Sequence, residues 1–314
     1  MILEAFAPTT GLAFWGVGGC LASLIALGLR LQSTRLWMLP WLAAAAGLAA
    51  TEAMIHDQPA GYSMLALCGT MLFGMKAVVG AASVRSGNAP LPLLPWLAFA
   101  VLWIGMRPKP FHGLGGPPRK GASSIAVLGA RNIALGVLLL AAAHWAAGQG
   151  HTLVAYLCGL PGISLCVHFG LFHLQVALFR TRGVDVGPLF RNPPLSRSLS
   201  EFWGRRWNLA FSEMTAVAVH RPLRGRVGNG AAVILAFLFS GLLHELAISA
   251  PVHGGWGQPM GYFALHAAAM TLERRLHLQG WVARLWTIAW IVLPLPLLFH
   301  GPFRSQVIGP LLGL

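Results

Sequence analysis

Acidic residues are scarce in this chain. Eight Asp and Glu stand against 22 Lys and Arg in 314 residues, and only two are aspartates, Asp57 and Asp185. So few carboxylates leave little from which to build acid–base pairs or oxygen cages for Mg²⁺. Charged residues of both signs make up only 10%, against roughly 25% in soluble domains. Cysteine is limited to Cys20, Cys68, Cys158 and Cys166, each inside an apolar stretch and none in a C-x-x-C pair. They read as small buried hydrophobes, not as a disulfide framework. There is no G-x-S-x-G elbow, and no Walker A run, since Lys120 follows Arg119 and not a glycine. His168 and His173 are five apart and H-E-x-x-H is absent, so no metal site is expected. The N-terminal Met1-Ile-Leu-Glu4 lacks the basic region of a cleaved signal peptide.

Hydrophobic residues are plentiful, at 56%, with a mean hydropathy of +0.67. A soluble fold cannot bury that much apolar surface, so the expectation is a multi-pass, all-α integral membrane protein forming one membrane domain over 1–314. Apolar stretches fall near 11–29, 36–55, 61–82, 90–106, 125–147, 152–179, 230–250, 259–276 and 281–300. The stretch at 90–106 is short and carries Pro90, Pro92 and Pro95, which break helices. If it dips in and returns, every basic loop falls on one side: Arg30/Arg35, Arg85, 107–120, 180–226 and 274–284. The loops near 56–60, 147–151 and 251–258 carry no Lys or Arg. This is the positive-inside pattern, and it accounts for the net charge of +14 without a nucleic-acid partner. About eight crossings and one re-entrant segment follow, and irregular backbone at depth implies an internal cavity. Many arginines, few lysines and abundant alanine point to a bacterial cell membrane. Transport stays open on hydropathy, although no matching pair of broken helices is apparent.

Two segments carry polar groups where they are costly. Ser198 and Glu201 form a capping-box pattern that opens a helix. At about 100° per residue, Leu199, Phe202, Trp203, Ala210, Met214 and Val217 share its apolar side, while Arg205, Asn208 and Ser212 fall opposite. The spacing predicts an interfacial amphipathic helix whose polar side faces either water or a protein cavity. Further on, His244 lies in mid-span within Phe239-Ser-Gly-Leu-Leu-His-Glu-Leu246. Burial favours a neutral imidazole able to accept a proton; an interhelical hydrogen bond is the alternative. Ser240 and Gly241, one turn earlier, are small and leave room beside the ring. Glu245 reads as a structural acid, His266 as a structural histidine before a catalytic one, and Lys76 as a side chain snorkelling to the basic side.

Together Ser198-Leu-Ser-Glu-Phe-Trp-Gly-Arg-Arg-Trp-Asn-Leu209 and Phe239–Leu246, with Leu265-His266 and Glu273, resemble the wax synthase branch of the membrane-bound O-acyltransferase superfamily. The resemblance covers roughly 188–300, which would be the catalytic region; the helices of 1–180 match only in hydropathy. It implies a helical bundle around an internal tunnel, an acyl-CoA co-substrate from the cytoplasmic side, and a hydroxyl acceptor. That acceptor is expected to be a long-chain alcohol, with another hydroxylated lipid or small metabolite as the alternative. No cofactor is implied. His244 would be the base and Asn208 its partner. Trp203, Arg205, Arg206, Trp207, Ser240, Gly241 and His266 would line the substrates, the two arginines facing the CoA phosphates unless they are ordinary positive-inside charge. One departure is His220, in Val219-His-Arg-Pro222, where plant members tend to have tyrosine.

Overall fold

The computed structural model describes residues 2–314, with side chains from Glu4 onward, and the described residues contain helices and loops but no strand. Helix α1 (Gly11–Leu31), α2 (Leu39–Ile55) and α3 (Ala60–Arg85) form an N-terminal trio. Small residues bring their backbones together, the usual means of association where lipid removes the hydrophobic drive. A Cβ added at Gly74 would stand 2.7 Å from that of Ala44, and Thr51 and Thr70 share a buried 2.8 Å hydrogen bond between α2 and α3. Helix α3 is the most enclosed, with 67% of its apolar window buried, so it forms the axis of the protein.

Residues 90–106 form no crossing helix, in keeping with the re-entrant expectation. Residues 90–106 contain only a short helix, α4 (Leu93–Ala100), and the chain leaves near where it came in: the His112 ring lies 3.1 Å from the Ala89 carbonyl. Gln32, at the end of α1, clamps the incoming segment by donating to the Leu91 carbonyl (3.2 Å) and accepting from its N–H (2.8 Å). Lys76 does not snorkel. It is 0% exposed and donates to the carbonyls of Phe99 (2.9 Å), Trp103 (2.8 Å) and Gly105, with its ammonium 3.8 Å from the Phe99 ring centroid. An eight-residue helix leaves its last carbonyls unpaired, and a cation at that end answers both their lone pairs and the helix dipole. Those local acceptors outweigh the reach toward water.

Helices α5 (Ala122–Gly148) and α6 (Thr152–Thr181) form a tight hairpin, with Gly136 facing the Gly162 carbonyl. The loop beyond α6 is stitched to residues 113–120: Arg180 donates to the carbonyls of Lys120 and Val186, and Arg119 to that of Gly183.

Ser198 caps the helix as expected, but the reciprocal bond of the capping box goes to the N–H of Arg197 and not to that of Ser198. Ser198 Oγ accepts from the Glu201 N–H (2.9 Å), and the Glu201 carboxylate accepts from the Arg197 N–H (2.8 Å). The long amphipathic helix does not continue from it. After Leu199–Glu201 and one π-helical turn (Phe202–Arg206), the backbone extends at Trp207 and turns left-handed at Asn208 (φ 42°). The stripe from Leu199 to Val217 is therefore divided between two pieces. The helical stretch that follows, Leu209–Val252, is broken at Gly228 (φ 82°, ψ 161°) into an arm α7 (209–227) and an arm α8 (229–252). The arms double back, since the Phe211 ring meets that of His244, 33 residues later, at 5.4 Å between centroids. Helices α9 (Gln258–Leu276) and α10 (Gly280–Leu298) close the bundle. Among the described residues six helices are long and apolar enough to cross a membrane; α2 is shorter, and α9 carries Glu273, Arg274 and Arg275 at its end.

Candidate active site

The hairpin of α7 and α8 sets the depth of the two polar residues singled out above. Phe211 and His244 lie 17 and 16 residues from Gly228, so at 1.5 Å per residue they sit about 25 and 24 Å along their arms. Asn208, the N-cap of α7, is thus level with His244 along the hairpin. The exposed tip carries Arg221, Arg224 and Arg226. His220, which departs from the plant pattern, lies toward that tip and pairs with Asn229 (3.0 Å), so it braces the turn and stands away from His244.

Asn208 is fixed by its surroundings. Its left-handed backbone suits an asparagine, and its Oδ1 accepts from the Phe211 N–H at 3.2 Å. With the oxygen engaged, the amide Nδ2 is the donor left over. Behind it, Leu209 N–H donates to Leu189 (2.9 Å), and Trp207 stacks on Phe202 (centroids 5.6 Å, 11°) and meets Phe190 edge-on (5.0 Å).

His244 is half-buried. Its Nδ1 lies 2.7 Å from the Ser240 carbonyl, so Nδ1 carries the proton and Nε2 is an acceptor without a protein partner. The ring is flanked by Phe211 (5.4 Å) and Phe263 of α9 (4.4 Å). Phe211 is the physical link in the site: Asn208 caps its backbone and His244 touches its ring. π-helical turns adjoin both polar residues, Phe202–Arg206 before Asn208 and Glu245–Ser249 after His244. Such turns re-aim side chains and are frequent at functional sites.

The remaining expected residues divide. Ser240 is buried and contributes its carbonyl to His244. Gly241 leaves no room for a substrate, because a Cβ there would stand 3.0 Å from the Met260 Cα and 2.7 Å from its sulfur. Its small size serves the contact of α8 with α9. His266 is 0% exposed, with Nδ1 bonded to the Tyr262 carbonyl (2.8 Å) and its ring enclosed by Trp203 (5.2 Å) and Tyr262 (4.3 Å). It is wall, not lining. Trp203 packs there too, among Phe237, Phe263 and His266, and Trp207 belongs to the aromatic stack behind Asn208. Arg206 is committed: it grips Glu201 (2.6 and 2.7 Å) and the carbonyls of Arg191 and Asn192. The Arg197 N–H, with Arg206 beside it, holds the Glu201 carboxyl below the usual carboxylate range. Arg205 is exposed.

The sequence reading passed over Arg107 and Arg191. Both line a cavity of about 70 Å³ together with Trp103, Gly105 and Met106 of the re-entrant exit, Gly187–Leu189, and Leu209 and Glu213 of α7. Arg107 pairs with Glu213 at 2.8 Å while remaining 70% exposed. A second, open groove of about 430 Å³ runs between α8 and α9 along Ile234, Leu238, Ala264, Ala267 and Ala268, with Arg275 at one end. Neither is lined by His244 or Asn208, so neither is the expected tunnel, and the imidazole is flanked by the Phe211 and Phe263 rings.

Asn208, Phe211, His244 and Phe263 fall within one matched region. Residues 186–265 match the membrane bound O-acyl transferase family. The chain is 33% identical over 103 residues to a long-chain-alcohol O-fatty-acyltransferase of Simmondsia chinensis, a match covering 30% of this chain and 29% of that protein. It is 32% identical over 196 residues to "Probable long-chain-alcohol O-fatty-acyltransferase 6" of Arabidopsis thaliana, covering 53% and 54% of the two chains. In this stretch the chain is similar to the wax synthase-like branch of the membrane-bound O-acyltransferases. The chain spans at most about half the length of these relatives. The similarity agrees with the integral, all-helical character of the protein, and both segments singled out in the sequence fall in the matched region: Asn208 lies inside one and His244 inside the other. The relatives are plant proteins and lend no support to the bacterial membrane suggested by composition.

Proposed function

We propose that the protein is an acyl-CoA-dependent O-acyltransferase acting on a long-chain alcohol and forming a wax ester. The observation that carries this is the imidazole whose Nδ1 is fixed on the Ser240 carbonyl and whose Nε2 is unpaired, beside the ring of a phenylalanine capped by Asn208. Nε2 takes the hydroxyl proton as the alcohol oxygen attacks the thioester carbonyl. The C–S bond then breaks, and the proton passes to the departing thiolate. A placed base contributes about 10²–10⁴-fold. The free Nδ2 of Asn208 donates to the thioester oxygen as negative charge develops there, an interaction worth about 2.7–4 kcal/mol. The thioester is already activated, so no acyl-enzyme is required.

Arg206 is engaged and only 25% exposed, so the CoA phosphates are assigned to Arg191 and to Arg107, which is 70% exposed although it also meets Glu213, at the cavity beside Leu209, where forked guanidinium donors suit phosphate oxygens. Both substrates reach Nε2 past Phe211 or Phe263, by rotation of one of these side chains. The names of the relatives support the alcohol acceptor. The test is purified protein with labelled palmitoyl-CoA and a panel of alcohols, sterols and diglycerides, reading ester formed and CoA released. Ester formation with hexadecanol that vanishes in His244→Ala is expected. Equal turnover in that variant, or no acyl transfer to any hydroxyl, refutes the reading.

A further inference from the structure

We infer that Glu245 is a positioning residue, which holds α9 against the His244 ring; this rests on the reading of His244 as the base. Glu245 is 6% exposed, and its Oε1 accepts from the Met260 N–H at 2.9 Å. Met260 is the third residue of α9, and the first-turn amides of a helix have no partner inside it. The side chain therefore caps a neighbouring helix, its oxygen accepting at the positive end of that helix. Its other oxygen, Oε2, is buried without a hydrogen-bond partner, with His300 the titratable side chain that interacts with it through space. A buried carboxylate with a single satisfied oxygen is costly to keep, so its place is explained by what it holds.

What it holds is adjacent to the chemistry. Met260 lies at the closest approach of the two helices, opposite Gly241. Phe263 is one turn further along α9 and covers the imidazole at 4.4 Å, with the rings tilted by 44°. Glu245 directly follows His244 and opens the π-helical turn Glu245–Ser249. The chain thus fixes the histidine ring on one side through Ser240 and on the other through Glu245, Met260 and Phe263. Gln at 245 retains a carbonyl oxygen for the Met260 N–H, whereas Ala retains nothing.

The experiment measures kcat and the KM for palmitoyl-CoA, with hexadecanol as acceptor, on purified full-length protein. Glu245→Gln is expected to keep at least a third of kcat. Glu245→Ala is expected to lose tenfold or more, with the donor KM within twofold, because donor binding does not involve this contact. A double-mutant cycle with Phe263→Leu separates positioning from general weakening. If both act through the seat of the imidazole, their losses in kcat do not multiply. Undiminished kcat in Glu245→Ala, equal losses in the Gln and Ala variants, or multiplying losses would overturn the inference. Should Glu245→Ala not fold, Glu245→Gln decides: a folded protein with kcat kept supports the cap, and a folded protein with kcat lost refutes it. Activity that persists in His244→Ala is instead a failure of the parent reading.

Discussion

Two histidines in neighbouring helices occupy almost the same local setting and end up with different roles. His244 in α8 and His266 in α9 each place Nδ1 on the carbonyl four residues earlier, at 2.7 and 2.8 Å. Each is packed among aromatic rings. They differ in what the second nitrogen meets. Nε2 of His266 is sealed, facing the Trp290 carbonyl without reaching hydrogen-bond geometry. His244 is half-exposed and shares Phe211 with a capped asparagine. An intrahelical bond sets the tautomer in both; only access to the other nitrogen makes one of them a usable base.

The sharpest way to break this comparison is to remove each imidazole. His244→Ala is expected to lower acyl transfer by about 10²–10⁴-fold. His266→Leu should lower the melting temperature while kcat stays within about threefold, as expected of a residue that packs and does not react. A larger fall in kcat for His266→Leu would erase the distinction.

The asparagine gives the next largest effect. Asn208→Asp keeps an oxygen for the Phe211 N–H and deletes the free amide donor, so kcat should fall about 10²–10³-fold with the fold intact. Asn208→Gly keeps the left-handed backbone but loses the cap as well, adding a stability loss of a few tenths of a kcal/mol, read by thermal unfolding.

Lys76 tests whether the re-entrant piece depends on its buried cation. Lys76→Met leaves the carbonyls of Phe99, Trp103 and Gly105 without their donor, and each buried orphan costs about 1–3 kcal/mol. A clear drop in melting temperature is expected, with loss of acyl transfer only as the protein unfolds.

The smallest effect concerns Glu201. Its folded pKa is depressed, so its contribution to stability is present above the ordinary carboxylate range and is lost as pH falls through the folded value. Glu201→Gln should therefore lower stability at neutral pH and flatten the acid side of the profile, the two proteins converging below the folded value.

The sequence made the spans, the capping box, the re-entrant turn and both polar residues visible, because each leaves a local mark. Apolar length, Ser198 with Glu201, clustered prolines, and a lone histidine in a greasy run are such marks. The geometry between them was not legible. Arg206 looked free because its partners Glu201, Arg191 and Asn192 meet it only through a π-helical turn and a distant loop. Gly241 looked like space because nothing local announces Met260 on the facing helix. Lys76 looked like a snorkelling side chain because its acceptors lie 23 to 29 residues away. Phe211 and Phe263, ordinary apolar residues in a periodic pattern, gave no signal at all.

Gly228 carries a consequence for how such a site tolerates change. Its backbone, at φ 82° and ψ 161°, lies in a region open essentially to glycine alone, and it decides which residue of α7 stands level with His244. A residue inserted in either arm between that hinge and the site would slide one side chain about 1.5 Å and swing it about 100° past the other. Substitutions at the arginine-bearing tip can drift freely, whereas the number of residues in each arm is fixed as strictly as the teeth of meshed gears.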